Sequence, residues 1–179
     1  MIKELDLKTL KNIYYTHMTK DFPEDELKTF EMIEGSIKNG KSTALAYYQD
    51  SLILGYATIL FIEDKLLLDY FAIIKDYRSK GYGKEFLKEI KEYFKDYSFI
   101  LIESENINSV QAKRRIDFYH KCGCKDTNVY IRLYFVDYTL LYMDLSKSYD
   151  VSKIKDEVLD LYQKLYPEYL NSEYLIFYP

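Results

Sequence analysis

The sequence predicts a mixed α/β (α+β) fold in one domain, and three observations carry that prediction. Hydrophobic residues make up 48% and charged residues 30% of a 179-residue chain, enough apolar material for a proper core. Segments with helical spacing and short apolar runs follow one another in the order α-α-β-β-β-α-β-α-β-β-α. One run, Leu66–Ile74, is almost continuously apolar, as in a strand covered on both faces. It leads through a charged turn into a glycine loop and an amphipathic helix.

Taken in order, Leu5, Leu7, Leu10, Ile13 and Tyr14 have the spacing of a first helix. A second helix is expected from Asp21-Phe22-Pro23-Glu24, with Pro23 in the first turn. Leu27, Phe30, Ile33 and Ile37 form its stripe, and Asn39-Gly40 ends it. The short polar link between these helices is placed to form a substrate lip. Ser42–Tyr48 and Leu52–Ile62 read as a hairpin, and Glu63-Asp64-Lys65 turns the chain into Leu66–Ile74. Phe86, Leu87, Ile90, Tyr93 and Phe94 give the next helix, running to Asp96, and Ser98–Glu103 is a short buried strand. Ser109 is a candidate cap for a helix over Gln111–Lys121, which Gly123 closes. Val129–Phe135 and Tyr138–Leu145 form a second hairpin over a Val-Asp turn, and Val151, Ile154, Val158, Leu161 and Leu165 stripe a last helix that stops at Pro167. Residues 1–147 are read as the body of the domain, with 148–179 as a helix and aromatic tail packed on it.

Composition excludes several classes. No apolar run approaches the roughly 20 residues of a membrane span, and MIKELDLKTL lacks the apolar region of a signal peptide. The net charge is −4 and the lysines are scattered, so no nucleic-acid footprint is expected. The acidic balance suits a cationic substrate. Cys122 and Cys124 have no nearby partners for a zinc site, and no metal centre is expected. They read as reduced thiols in a cytoplasmic protein. The 21 tyrosines can bury a ring while keeping the hydroxyl wet, so most carry no chemistry.

The stretch Ile73–Gly83, IIKDYRSKGYG, is the candidate functional loop. A helix start offers unpaired N–H groups and the positive end of a dipole to an anion. A P-loop is excluded because Arg78 replaces its first glycine and Glu85 follows Lys84. A dinucleotide fingerprint is excluded because Phe86 stands where its third glycine belongs. What remains is Arg-x-x-Gly-x-Gly opening a helix.

With that motif, the element order, and Phe118-Tyr119-His-Lys-Cys-Gly123-Cys124 at a later helix end, the chain from Ile2 to Leu145 resembles the GNAT superfamily of acyl-CoA-dependent N-acyltransferases. Arg114-Arg115-Ile-Asp-Phe-Tyr119, Glu103-Ser-Glu105 and Asp21-Phe-Pro resemble a branch of small bacterial acetyltransferases whose substrate that likeness does not fix. The resemblance implies a twisted mixed sheet, splayed beyond Leu66–Ile74, with acetyl-CoA in the gap. It implies that backbone groups of Phe71, Ala72 and Ile73 pair with pantetheine like an added strand. The N–H groups of Ser79, Lys80, Gly81, Tyr82, Gly83 and Lys84 would cradle the pyrophosphate, with Arg78 and Lys80 adding positive charge. Three positions depart from the family pattern. Ala112 replaces a frequent asparagine, which removes one hydrogen bond to pantetheine; Cys124 replaces a phenylalanine; Lys75 replaces a proline.

The chemistry sets further demands. An alkyl ammonium has a pKa near 10.4, so on the order of one molecule in a thousand is neutral at pH 7, and deprotonation costs roughly 4 kcal/mol. Asp69, Glu103 and Glu105 are the candidate bases. Asp69 lies in an apolar strand, where a carboxylate needs a partner or a cavity. Glu103 ends the neighbouring strand, and Glu105 shares its face if that strand continues. Salt bridges to arginines such as Arg114 are the competing role for each. A backbone N–H near Ile73 would stabilise the oxyanion. By the resemblance, Tyr119 is the general acid for the departing thiolate, and Arg115, four residues earlier, shares its helix face. Asp21 and Glu24 either start a helix or line the acceptor mouth, and His17 and His120 read as surface residues.

The sequence therefore points to an N-acetyltransferase that moves the acetyl group of acetyl-CoA directly to a primary amine in a ternary complex. A ping-pong route through Cys122 or Cys124 lacks a nucleophile setting. The alternative is a non-catalytic acyl-CoA-binding or protein-interaction module on the same fold, with Ala112 and the tyrosine-rich tail in its favour. A homodimer through that tail is compatible with either, and a nucleotide-dependent enzyme is a distant third.

Overall fold

The computed structural model describes residues 1–24, 26–105, 110–145, 151–169 and 172–178. The Ser109 cap therefore lies outside the described residues, as does the side chain of Val151. Two compact units make up the chain: residues 1–61 with 68–90, and residues 62–67 with 91–179.

The first unit begins with a strand that the helical spacing concealed, β1 (Ile2–Glu4), paired antiparallel to β2 (Ser42–Gln49) with Ile2 opposite Tyr47. Helix α1 (Leu7–Ile13) is capped by Asp6, which accepts from the Thr9 amide at 2.8 Å. It runs on as a π-helical turn, Tyr14–Met18, and a final turn to Asp21. The predicted start of the second helix at Pro23 is wrong. Helix α2 spans Phe30–Lys38, and Thr29 caps it by accepting from the Met32 amide. Residues around Pro23 instead form a turn in which the amides of Glu26 and Leu27 reach the Pro23 carbonyl. Leu27 thus lies before the helix, and only Phe30 and Ile33 of the expected stripe are buried on it. The fixed φ of proline suits a turn as well as a first helical turn, and the Thr29 cap decides between them.

β2 and β3 (Leu52–Ile62) form the predicted hairpin, followed by β4 (Lys65–Ile73). Leu10, Ile13, Met18, Phe30 and Ile33 bury their side chains with Ala44, Ala46, Tyr56 and Tyr70 of the strands in one core. Helix α3 (Tyr82–Tyr93) buries Phe86, Leu87 and Ile90, as its spacing predicts, and ends short of Asp96. The Phe86 ring lies 5.4 Å from that of Tyr47 and 5.1 Å from that of Phe71. Gly55 is the close approach beneath this packing: a Cβ there would sit 2.8 Å from the Ala72 carbonyl oxygen and 2.7 Å from Ile73 Cδ1. Only a residue without a side chain lets β3 run this near β4.

The second unit carries β5 (Phe99–Glu105), helix α4 (Val110–Lys121), β6 (Lys125–Leu133), β7 (Val136–Asp144), helix α5 (Ile154–Leu165) and β8 (Leu175–Tyr178). Its strands are ordered β5-β7-β6-β8, and each neighbouring pair is antiparallel. Residues 99–102, Leu140, Leu141, Ile131, Val158, Leu161 and Tyr162 are buried. The β6–β7 turn is not at Val136-Asp137 as expected but at Tyr134-Phe135, whose φ values are 48° and 70°. Two positive φ values normally call for glycine or asparagine. Here the Tyr134 amide donates to Tyr174, and the Tyr134 ring meets those of Tyr166, Tyr169 and Tyr174, so aromatic packing overrides turn preference. Those partners come from the tail, which forms β8 along β6, with Tyr178 opposite Tyr130.

Candidate active site

The loop after β4 has the construction that an anion needs. Arg78 to Lys80 and Gly81 are exposed, while Phe71, Ala72 and Ile73 are half-buried on the strand leading to them. The amides of Lys84 and Glu85 bond back to the Gly81 carbonyl at 3.1 and 3.3 Å, which starts α3. Among the described residues, the amides of Ser79, Lys80, Gly81, Tyr82 and Gly83 make no such bond. Ser79 has a φ of 62° and Gly81 of 86°. Nothing lies within 4 Å of the position a Cβ would take at Gly81, so the glycine serves backbone conformation and leaves open space for a ligand. These amides, leading into and opening a helix of 12 residues, fit a pyrophosphate.

The charges of the loop are more committed than the sequence suggests. Arg78 Nη2 donates to Asp21 Oδ1 at 2.5 Å, and Arg78 Nε donates to the Ile73 carbonyl at 2.7 Å. The other oxygen of Asp21 accepts from the Tyr56 hydroxyl at 2.7 Å. Burial, and then the Asp21 carboxylate, hold the Tyr56 hydroxyl well above the ordinary tyrosine range, so it remains a donor. Asp21 therefore neither starts a helix nor stands free at a mouth; it fastens the end of α1 to the loop. Lys80 folds back, donating to the Asp76 carbonyl at 3.1 Å and lying over the Tyr77 ring.

Asp69 has both features its apolar strand demands, a partner and a cavity. Lys28 Nζ donates to Asp69 Oδ1 at 2.6 Å, and both residues line a cavity of about 180 Å³ beneath α2. The backbone of Lys28 is held from two sides: its amide donates to the Tyr70 hydroxyl at 2.8 Å and its carbonyl accepts from the Tyr14 hydroxyl at 3.0 Å. No sequence signal marks Lys28, which is one lysine among many. The visible clue is its counterpart, the lone acid of β4.

In the second unit, β5 does continue to Glu105, so Glu103 and Glu105 share a face while Ser104 between them is buried. Glu103 accepts a short hydrogen bond from the buried Tyr162 hydroxyl. Glu105 lies 3.8 Å from Arg115, not Arg114. Tyr119 is buried at the end of α4, and the Cys124 amide bonds to its carbonyl. Burial, and then the neighbouring Cys124, push the Tyr119 hydroxyl above its ordinary range, and the Arg115 guanidinium pulls the other way. The buried Cys124 thiol is likewise pushed up, to about 12. His120 lies at the surface, 3.2 Å from Asp126.

The first unit thus defines an α/β protein with an anion cradle at a helix start, fed by a strand whose last residues, Phe71 to Ile73, are half-buried. Residues 7–124 match the acetyltransferase (GNAT) family, and the chain belongs to it. None of the curated proteins matches the chain significantly. Among solved structures, it is similar to a GNAT-family protein from Bacteroides thetaiotaomicron, with a TM-score of 0.76, 20% identity and coverage of 93% of this chain and 98% of that one. It is similar to the ribosomal-protein-S18-alanine N-acetyltransferase of Escherichia coli, with a TM-score of 0.65, 16% identity and coverage of 84% and 96%. A Bacillus subtilis acetyltransferase in complex with CoA gives a TM-score of 0.58, 17% identity and coverage of 80% and 97%. The fold is that of the family, an α/β arrangement with a mixed sheet flanked by helices. The family relation makes the protein an acetyltransferase with acetyl-CoA as the family's acyl donor. No helix among the described residues is long and apolar enough to cross a membrane.

Proposed function

We propose that the protein is an N-acetyltransferase that moves the acetyl group of acetyl-CoA to a primary amine by direct transfer in a ternary complex. The observation that carries the reading is the row of unpaired amides from Ser79 to Gly83 at the start of α3, beyond the half-buried strand end at Phe71–Ile73. The amides of Ser79 to Gly83 hold the pyrophosphate, while that of Lys84 is taken by the Gly81 carbonyl, and the end of the strand aligns pantetheine. Arg78 acts on the strand end, through the Ile73 carbonyl, as well as on the anion.

The acceptor arrives as an ammonium and loses one proton to a carboxylate. Asp69 takes this role in preference to Glu103 and Glu105, because it lines a cavity on the cofactor strand itself. The amine lone pair then attacks the thioester carbon; a C–N bond forms and the C–S bond breaks. The thiolate takes its proton from Tyr119, and the second amine proton, which leaves as the amide forms, restores the Tyr119 hydroxyl. Two features support Tyr119: its place at the end of α4, where the family carries such a tyrosine, and burial that keeps its hydroxyl protonated at neutral pH. Neither cysteine is a good relay, since the Cys124 thiol stays protonated far above neutral pH.

Thiol release from acetyl-CoA against an amine panel tests the reading. Tyr119→Phe should lower kcat by about 10²-fold or more while the Kd for acetyl-CoA stays within about twofold. Unchanged turnover removes Tyr119 from the mechanism. Tight acetyl-CoA binding with no transfer to any amine would make the protein a binding module.

A further inference from the structure

The cavity beneath α2 is a built site. Lys28, Ser42, Thr58, Leu60 and Asp69 line it, and all of them belong to the first unit. Two charges of opposite sign face it as one pair, Lys28 Nζ to Asp69 Oδ1 at 2.6 Å, with the Asp69 side chain 13% exposed and that of Lys28 32%. The Tyr14 and Tyr70 hydroxyls fix the backbone from which Lys28 projects. The third feature is independent of the pair: the Thr58 hydroxyl, in a residue 3% exposed, has no hydrogen-bond partner. An orphaned buried hydroxyl is costly, and a ligand that bonds to it removes the cost.

We propose that this cavity is the acceptor pocket and that the acceptor is a small zwitterion, a molecule with one ammonium and one carboxylate, of the size of a free amino acid. The proposal rests on the N-acetyltransferase reading above and adds the substrate class to it. Charge selects the class. The pair is neutral overall, so a simple amine or a diamine entering beside Asp69 would leave Lys28 facing added positive charge. A zwitterion instead inserts between the pair, with its ammonium on Asp69 and its carboxylate on Lys28, and every charge keeps a counter-charge. Size agrees. About 180 Å³ is well below the 300 Å³ or so at which drug-sized pockets begin and close to the roughly 150 Å³ cavity that admits a six-carbon ring. Position agrees as well. Asp69 precedes Phe71 by two residues on β4, about 7 Å along the strand whose end takes the acyl donor. The amine held by Asp69 is the nucleophile. Its first proton passes through the carboxylate to solvent, and its second replaces the proton that Tyr119 gives to the CoA sulfur.

The test compares free L-amino acids with their amides, their decarboxylated amines and 1,4-diaminobutane as acceptors for the full-length protein. An amino acid should exceed its own amide and its decarboxylated amine by about tenfold or more in kcat/KM, the scale of one charge-assisted contact. Lys28→Met should bring that ratio close to one. Thr58→Val, which replaces the hydroxyl with a methyl group, should weaken amino-acid binding several-fold in calorimetry without lowering the melting temperature; this arm stands even if Lys28→Met fails to fold. Transfer to amides or diamines at equal or higher rates overturns the zwitterion proposal and leaves the acetyltransferase reading intact. Amino-acid binding lost in Thr58→Val, with no acetyl transfer to anything, supports the pocket and overturns that reading. No binding and no preference overturns the proposal outright.

Discussion

Gly55→Ala probes the seam between β3 and the strand that leads to the cofactor loop. The new Cβ would lie 2.7 Å from Ile73 Cδ1 and 2.8 Å from the Ala72 carbonyl oxygen, whereas ordinary contact begins near 3.4 Å. Ile73 Cδ1 is the far end of a side chain and can rotate away. The carbonyl is backbone, so the deficit of about 0.6 Å must be met by moving β4. Overpacking of this kind costs about 1–3 kcal/mol. For a chain of this size each kcal/mol shifts the melting temperature by about 2–4 °C, so the variant should melt about 2–12 °C lower. Because Ala72 lies on the strand end proposed to align pantetheine, KM for acetyl-CoA should rise more than kcat falls. Differential scanning fluorimetry and steady-state kinetics read both effects. A melting temperature within about 1 °C of the parent, with KM unchanged, would refute the idea that Gly55 is required for this close approach.

Three further outcomes are expected. Thr29→Ala removes the cap of α2 and should cost about 1 kcal/mol in urea unfolding, whereas Thr29→Ser should restore most of it. Cys124, with its thiol raised to about 12, should resist iodoacetamide at pH 8 in the native protein and react readily in denaturant, as read by peptide mass spectrometry. The Ser98 hydroxyl is the chief cause that lowers the pKa of Asp64, aided by Lys65. A carboxylate lowered on folding contributes stability above its unfolded pKa and loses it as pH falls through the folded value. Ser98→Ala should therefore narrow the gap between stability at pH 6 and at pH 3, and an unchanged gap would show that the contact carries no linkage.

Where local pattern and tertiary structure agree, the sequence was readable. The stripe Phe86, Leu87, Ile90 and the unbroken apolar β4 declared themselves because periodicity and burial coincide there. The glycine loop was legible for the same reason, as its backbone conformation needs particular residues. The failures share a cause. At Pro23 a turn and a helix start use the same residue, and the decision lay with Thr29 six residues later. At Tyr134-Phe135 the turn is built from residues that do not favour it, because rings from a distant tail pack there. Partners across the first unit were least visible. Arg78 read as a free cation, yet it meets Asp21, 57 residues earlier, and Asp69 asked for a counter-ion without indicating which lysine would supply it.

The shared carboxylate of Asp21 has a consequence for motion. One oxygen holds Arg78 and the other Tyr56, while Arg78 also grips the carbonyl of Ile73. The end of α1, the middle of β3, the end of β4 and the loop are thus four points of one knot. Opening the loop breaks the ion pair, and fraying of the helix end breaks the same pair, so the two events form one cooperative unit for amide exchange. A loop tied down in this way has already surrendered much of its conformational freedom before the donor arrives, and binding then sacrifices less entropy. The protein holds its cradle ready, with a carboxylate from another part of the chain as the clasp.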